Sequence, residues 1–149
     1  EIAQGNDIDL ILTDGSPGIG CPVIASLSRA SLALIVAEPT VAAVSDLKRV
    51  QELTAYFDIP SGIVLNKADI NESLGDEVES FAQEKGLPLL GRIPYSEAMT
   101  RAQIEGQSIT EYDPEGLGQN IHHIWDGIRE RLETLESGST EAKKEPTSE

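Results

Sequence analysis

Two short stretches carry residue types suited to phosphate and base chemistry. The first is Asp14 with the turn that follows it, Gly15-Ser16-Pro17-Gly18-Ile19-Gly20. An aspartate at the tip of a buried apolar strand is how nucleotidases hold Mg²⁺, usually through water. Mg²⁺ takes hard oxygen ligands and keeps several waters, so one carboxylate serves it. The glycines permit sharp turns and let backbone N–H groups approach a phosphate closely. A strand that simply ends in Asp before a Gly/Pro turn is the alternative, and both readings stay open on these residues.

The second stretch is Asn66-Lys67-Ala68-Asp69. The Asn amide offers a donor and an acceptor and can read a purine edge. The Lys stem can lie along a base plane, and a carboxylate two residues later can accept from the N1 and N2 hydrogens of guanine. The same residues fit a strand-end turn at Asn66 with Asp69 capping the next helix, and the two roles are compatible. Pro94-Tyr95, after a further apolar run, would stand beside the Asn66 loop and wall a base pocket. An ordinary proline-terminated strand before a helix starting near Glu97 explains them equally.

Other polar residues carry less. His122 and His123 are adjacent in a helical pattern and point about 100° apart, so they cannot form the i, i+4 pair of a zinc helix. Glu38-Pro39-Thr40 reads as a strand end with Thr40 or Ser45 as a helix cap. Lys48 and Arg49 read as a solvated helix face, and Trp125 as a packing residue. Cys21 is expected as a small buried residue at a helix start. A thiolate bridging a cluster between two copies is the lesser alternative.

The elements that must position these residues follow from apolar patterning. Four runs, 8–13 (IDLILT), 32–37 (LALIVA), 62–65 (GIVL) and 87–93 (LPLLGRI), lack polar alternation, as strands buried on both faces do. Between them, Val44, Leu47, Val50, Leu53 and Phe57, then Leu74, Val78 and Phe81, recur at helical spacing. A final stripe, Leu117, Ile121, Ile124, Ile128, Leu132 and Leu135, predicts a long amphipathic helix. Strand and helix alternate, which predicts an α/β domain with a largely parallel sheet and flanking helices. Ligands of such sheets bind at the carboxyl ends of strands, where Asp14, Asn66 and Tyr95 fall. Residues 1–136 are expected to form the folded part. Residues 137–149, with no large apolar side chain, are expected as a disordered tail.

Composition narrows the partners. The 149 residues carry a formal net charge of −15, which opposes a phosphate backbone and anionic lipid alike. A single cysteine excludes a disulfide within the chain and any all-cysteine cluster built by this chain alone. No run approaches the roughly 20 apolar residues of a transmembrane helix. No signal peptide is visible, and the cytoplasm is the expected compartment.

The segments TDGSPGIGCPVIASLSRASLALIVAEPT, SDLKRV, GIVLNKADIN and LLGRIPYSEAM together resemble the MinD superfamily of P-loop ATPases, in the branch with an inserted ferredoxin domain. The resemblance covers about residues 7–112, and the Pro-Gly-x-Gly-Cys-Pro pattern is its most specific part. It implies a SIMIBI/MinD-like P-loop NTPase fold that binds MgATP and forms a homodimer around it. It places Asp14 as the switch II aspartate supporting Mg²⁺ and its water. Pro17, Gly18 and Gly20 fall on the mobile switch loop, Asn66 on the adenine-reading position, with Lys67 and Asp69 beside it, and Pro94 and Tyr95 on the loop flanking the base. [4Fe-4S] clusters and a ferredoxin-type electron partner are implied for the inserted domain.

Two family features are absent from these residues: the phosphate loop of the type G-K-G-G-x-G-K-T and a ferredoxin-type cysteine cluster. The expectation is therefore the carboxyl-terminal part of an ATPase, with an incomplete sheet. A GTPase of the same class is one alternative, supported by Asn66-Lys67-x-Asp69 but opposed by Pro17, which stands where a DxxG motif has glycine. A non-catalytic interaction module is another. Phosphoryl transfer depends on positioning and charge neutralisation by the phosphate loop. The purified 149-residue chain is thus expected to show no MgATP turnover. Turnover that disappears in Asp14→Asn would contradict this.

Overall fold

The computed structural model describes residues 9–16, 18 and 20–142. In chain order its elements are α1 (Cys21–Leu27), β1 (Ala33–Ala37), α2 (Val41–Tyr56), β2 (Ser61–Asn66), α3 (Glu72–Lys85), β3 (Leu89–Ile93), α4 (Glu97–Glu105), α5 (Ile109–Tyr112) and α6 (Leu117–Ala142). The three strands form one parallel sheet in the order β1-β2-β3. The α/β class with a parallel sheet and flanking helices is as the alternating pattern required.

Local chemistry sets the element ends. The Thr40 hydroxyl accepts from the Ala43 N–H and caps α2. Asn71, not Asp69, caps α3, accepting from the Leu74 N–H at 3.1 Å. Gly86, at φ 64°, closes α3 in the left-handed region that favours glycine. Ser96 caps α4, and Ser108 with Glu111 forms a capping box on α5. The Ser108 hydroxyl and backbone N–H hold the Glu111 carboxyl below its ordinary range. The Asp113 carboxylate takes the Leu117 N–H at the start of α6.

The sheet is covered unequally on its two faces. On one, Ile35, Ala37, Ile63 and Leu65 pack with Val44 and Leu47 of α2 and Val78, Phe81 and Ala82 of α3. On the other, Val64 and Ile93 pack with Leu117 and Ile124 of α6. Helix cover on that second face does not extend over β1, whose Leu34 and Val36 are 39% and 58% exposed. The register slips between Ile63 and Val64, whose partners are Leu89 and Gly91, so Leu90 is the extra residue of a bulge.

Two expectations need correction. Residues 9–13 of the run 8–13 form no strand, and Ile8 lies outside the described residues; Leu10, Ile11 and Leu12 are 47%, 65% and 82% exposed. Apolar composition supplies strand propensity, but a neighbour must supply hydrogen bonds and a covering layer must bury the side chains. The described residues supply neither for this run. Asp14 is accordingly exposed rather than at a buried strand tip. The second correction is at the other end. Residues 137–142, expected in the tail, continue α6, where the Thr134 and Ser137 hydroxyls donate to the Glu130 and Glu133 carbonyls. A helix already propagating from a packed amino-terminal half extends at little further cost. Residues 143–149 lie outside the described residues. Among the described residues no helix is long and apolar enough to cross a membrane.

Two glycines give opposite expectations. A Cβ at Gly91 would overlap the Ile124 side chain at the β3–α6 contact. Gly91→Ala should therefore destabilise by about 1–3 kcal/mol through overpacking. A Cβ at Gly127, within α6, would meet Leu90 Cδ2 at an ordinary 3.7 Å. Gly127→Ala should stabilise by about 0.5–1 kcal/mol through helix propensity. Urea unfolding of the two variants checks both signs.

Candidate functional site

Parallel pairing puts the carboxyl ends of all three strands on one edge of the sheet. Ala37 is level with Leu65, and Asn66 with Ile93. The residues that follow, Glu38, Asn66 to Asp69, and Pro94 with Tyr95, therefore share a rim. They are tied to one another. Lys67 Nζ pairs with Glu38 Oε1 at 2.8 Å, linking the ends of β1 and β2. Asp69 Oδ1 accepts from the Tyr95 N–H at 2.6 Å, linking the loops after β2 and β3. The Ala68 N–H donates to the Ile93 carbonyl at 2.9 Å. Both partners of the Lys67–Glu38 pair are over a third exposed, so solvent screening leaves it worth at most about 0.5 kcal/mol. Its contribution is to geometry more than to stability.

The turn itself is fixed from within. Lys67 sits at φ 52°, a left-handed conformation that costs a side-chain-bearing residue about 1 kcal/mol. The Asn66 Oδ1 accepts from the Lys67 N–H at 3.0 Å and offsets part of that cost. Only the amide oxygen can accept there, so the amide NH₂ of half-buried Asn66 is the group left to meet a ligand. Beside it are the Lys67 stem and the Tyr95 side chain, 56% exposed. A hydrogen-bond donor flanked by apolar surface suits a flat ring with acceptor nitrogens.

The structure thus brings Asn66, Lys67, Asp69, Pro94 and Tyr95 together. It does not bring Asp14 to them: among the described residues no hydrogen bond or ion pair joins Asp14 to the rim. Its neighbour Gly15 lies against Ser26 of α1, where a Cβ would meet Oγ at 3.4 Å. Gly18 has φ +88° and Gly20 is the residue before α1. Pro17 lies outside the described residues. Cys21 is exposed in the first turn of α1, contrary to its expected burial, because α1 buries only Val23. Among the described residues no three His, Cys, Asp or Glu side chains converge as a metal site. A cleft of about 270 Å³, lined by Ile24, Arg29, Phe57 and Asp58 among others, lies at the amino ends of the strands, opposite the rim.

Glu38 is the rim residue that sequence reading missed. The available signal was positional: in a parallel pair, an acid immediately after β1 and a lysine immediately after β2 fall at the same sheet edge. The expectation of Asp69 as a helix cap is replaced by Asn71 in that role.

The family profile described as 4Fe-4S iron sulfur cluster binding proteins, NifH/frxC family, matches residues 18–141. The chain belongs to this family. The uncharacterized protein MJ0578 of Methanocaldococcus jannaschii is 40% identical over 63 residues, which is 42% of this chain and 23% of that protein. The cell division ATPase MinD of Pyrococcus furiosus superposes with a TM-score of 0.69 at 23% identity, covering 84% of this chain and 53% of that one. The septum site-determining protein MinD of Pyrococcus horikoshii, complexed with Mg-ADP, superposes with a TM-score of 0.65 at 22% identity, covering 77% and 48%. The fold is that of MinD-type P-loop ATPases. This NifH/frxC-family chain spans about a quarter of that relative and about half of those two structures.

Proposed function

We propose that this chain is the base-binding and switch part of a Mg²⁺-dependent ATPase, completed by a phosphate-gripping segment outside these 149 residues. The tied rim carries the reading: Asn66, Lys67, Asp69, Pro94 and Tyr95 converge at the strand ends of a fold that, in the Pyrococcus horikoshii MinD structure, accompanies Mg-ADP. Asn66 donates to the adenine ring, the Lys67 stem lies along it, and Pro94 and Tyr95 wall it. Asp14 takes the switch II role. Its exposed carboxylate offers the hard oxygens that a water-rich Mg²⁺ shell needs. Mg²⁺ would supply charge neutralisation at the phosphates. Pro17, Gly18 and Gly20 form the loop that responds to nucleotide state.

The bare side of β1 supports the same reading. Leu34 and Val36 are 39% and 58% exposed, and β1 is an outer strand among those described. A parallel strand from outside the 149 residues, pairing with β1 and bringing its own helix layer, would bury both. The apolar run at 10–12 would then gain a neighbour. Two copies closing around nucleotide is the associated state.

Family membership bears on the cluster chemistry. A [4Fe-4S] cluster takes four thiolates, and this chain has Cys21 alone, so it does not fit a cluster by itself. Clusters, with a ferredoxin-type electron partner, are assigned to the segment outside the chain, coupling ATP turnover to electron transfer or cluster handling. GTP is the lesser candidate, because the Asp69 oxygen that would meet guanine is engaged by Tyr95.

The native protein tests the proposal through its intact mass, its sequence before Glu1 and its hydrolysis of MgATP. The expected product is well above 16.0 kDa, carries the Gly-rich lysine loop and clustered cysteines, and loses turnover at least about 100-fold in Asp14→Asn. A native product of 16.0 kDa that binds no nucleotide would overturn it.

A further inference from the structure

We infer that Asp69 is a positioning residue that latches the Tyr95 loop onto the Asn66 turn, and that it does not read the base. The inference rests on the nucleotide reading of the rim. Two alternatives for this carboxylate are closed by contacts on the same turn, and a third contact shows its engagement. The cap of α3 is Asn71, so Asp69 is not needed there. The lysine of the turn is committed to Glu38 on the β1 side, so Asp69 is not its ion-pair partner. And Asp69 Oδ1 is aimed sideways along the sheet edge, 2.6 Å from the Tyr95 nitrogen.

The Tyr95 amide has a particular need for this acceptor. The β2–β3 ladder ends at the Asn66–Ile93 pair, and the Ile93 carbonyl is taken by the Ala68 N–H. Pro94 has no N–H. Tyr95 therefore carries the first free amide after the sheet stops, and no regular pairing supplies its acceptor. A carboxylate gives a short, charge-assisted bond in that place. The two side-chain ties then point in opposite directions from one turn, Lys67 toward the end of β1 and Asp69 toward the end of β3. Between them Asn66 is held with its NH₂ outward, and Tyr95 is held beside it.

The consequence is for specificity. Selecting guanine takes a carboxylate with its oxygens presented to the N1 and N2 hydrogens together. Asp69 has one oxygen turned away into the latch. The rim then recognises features that adenine and guanine share, through Asn66 and stacking surface, and offers guanine Asp69 Oδ2 in place of the paired acceptor that selects it.

The test compares the full-length protein with its Asp69→Asn and Asp69→Ala variants. Two quantities are read: hydrogen exchange at the Tyr95 amide without nucleotide, and affinity for MgATP and MgGTP. Asp69→Asn keeps an acceptor oxygen and is expected to stay within about threefold of wild type on both. Asp69→Ala is expected to raise Tyr95 exchange and weaken MgATP by about tenfold each. Wild type is expected to favour MgATP over MgGTP or bind them alike. Unchanged Tyr95 exchange in Asp69→Ala would remove the latch. A loss confined to MgGTP, in Asp69→Ala and Asp69→Asn alike, would show base reading instead. Wild type binding neither nucleotide would sink the base-site reading and this role with it, while the exchange data would still decide whether the latch exists.

Discussion

Strand β2 is hydrogen-bonded along both edges and packed on both faces, and the rest of the molecule is arranged around it. Ile63, Val64 and Leu65 are 0%, 2% and 0% exposed. Each such side chain contributes about 1.5–3 kcal/mol on burial. Ile63 and Leu65 gather α2 and α3 on one face, and Val64 gathers α6 on the other. The polar pair Thr54 and Ser61, 3.0 Å apart, is buried at the strand's entry and satisfied there. At its exit the apolar run stops, and Asn66 begins the turn that carries the rim. The position of Asn66 is thus inherited from the most constrained strand in the sheet.

The outer strands are constrained unequally, and this asymmetry separates what the chain does for itself from what it leaves to other sequence. β3 has α6 on its outer face, with Gly91 allowing Ile124 to approach the backbone. Among the described residues, helices cover β1 on the face it shares with α2 and α3, while Leu34 and Val36 on the other are 39% and 58% exposed. An outer strand with two apolar side chains in water is open to pairing. The described chain therefore completes the rim at the ends of β1, β2 and β3, whose ties lie between its own strands. Asp14 and the described glycines after it remain apart, with no strand neighbour among the described residues.

Much of this architecture is legible in the amino-acid sequence. The three strands, the helices between them and the long apolar stripe of α6 follow from periodicity, because each buries its own pattern against its neighbours. Asn66, Lys67 and Tyr95 fall at one sheet edge from parallel topology alone. The run at 8–13 misleads because local composition cannot say whether a neighbouring strand is present. The start of the tail misleads because a helix whose first half is packed extends past 136 at little further cost, whatever the local apolar content. The Lys67–Glu38 and Tyr95–Asp69 contacts are another matter: the shared edge is legible, but the contacts join residues 29 and 26 positions apart and depend on side-chain direction.

The central proposal is that this chain supplies the base pocket of a nucleotide site and the switch aspartate, but no lysine-bearing phosphate loop. Titrating the isolated chain with adenosine and with MgATP, followed by amide NMR, tests it most directly. Both ligands are expected to shift the amides of Lys67, Asp69 and Tyr95, with affinities within about threefold, because these 149 residues carry no Gly-rich lysine loop to grip phosphates and a single exposed aspartate holds Mg²⁺ weakly. MgATP binding tenfold or more tighter than adenosine, or shifts confined to residues away from the rim, would contradict it.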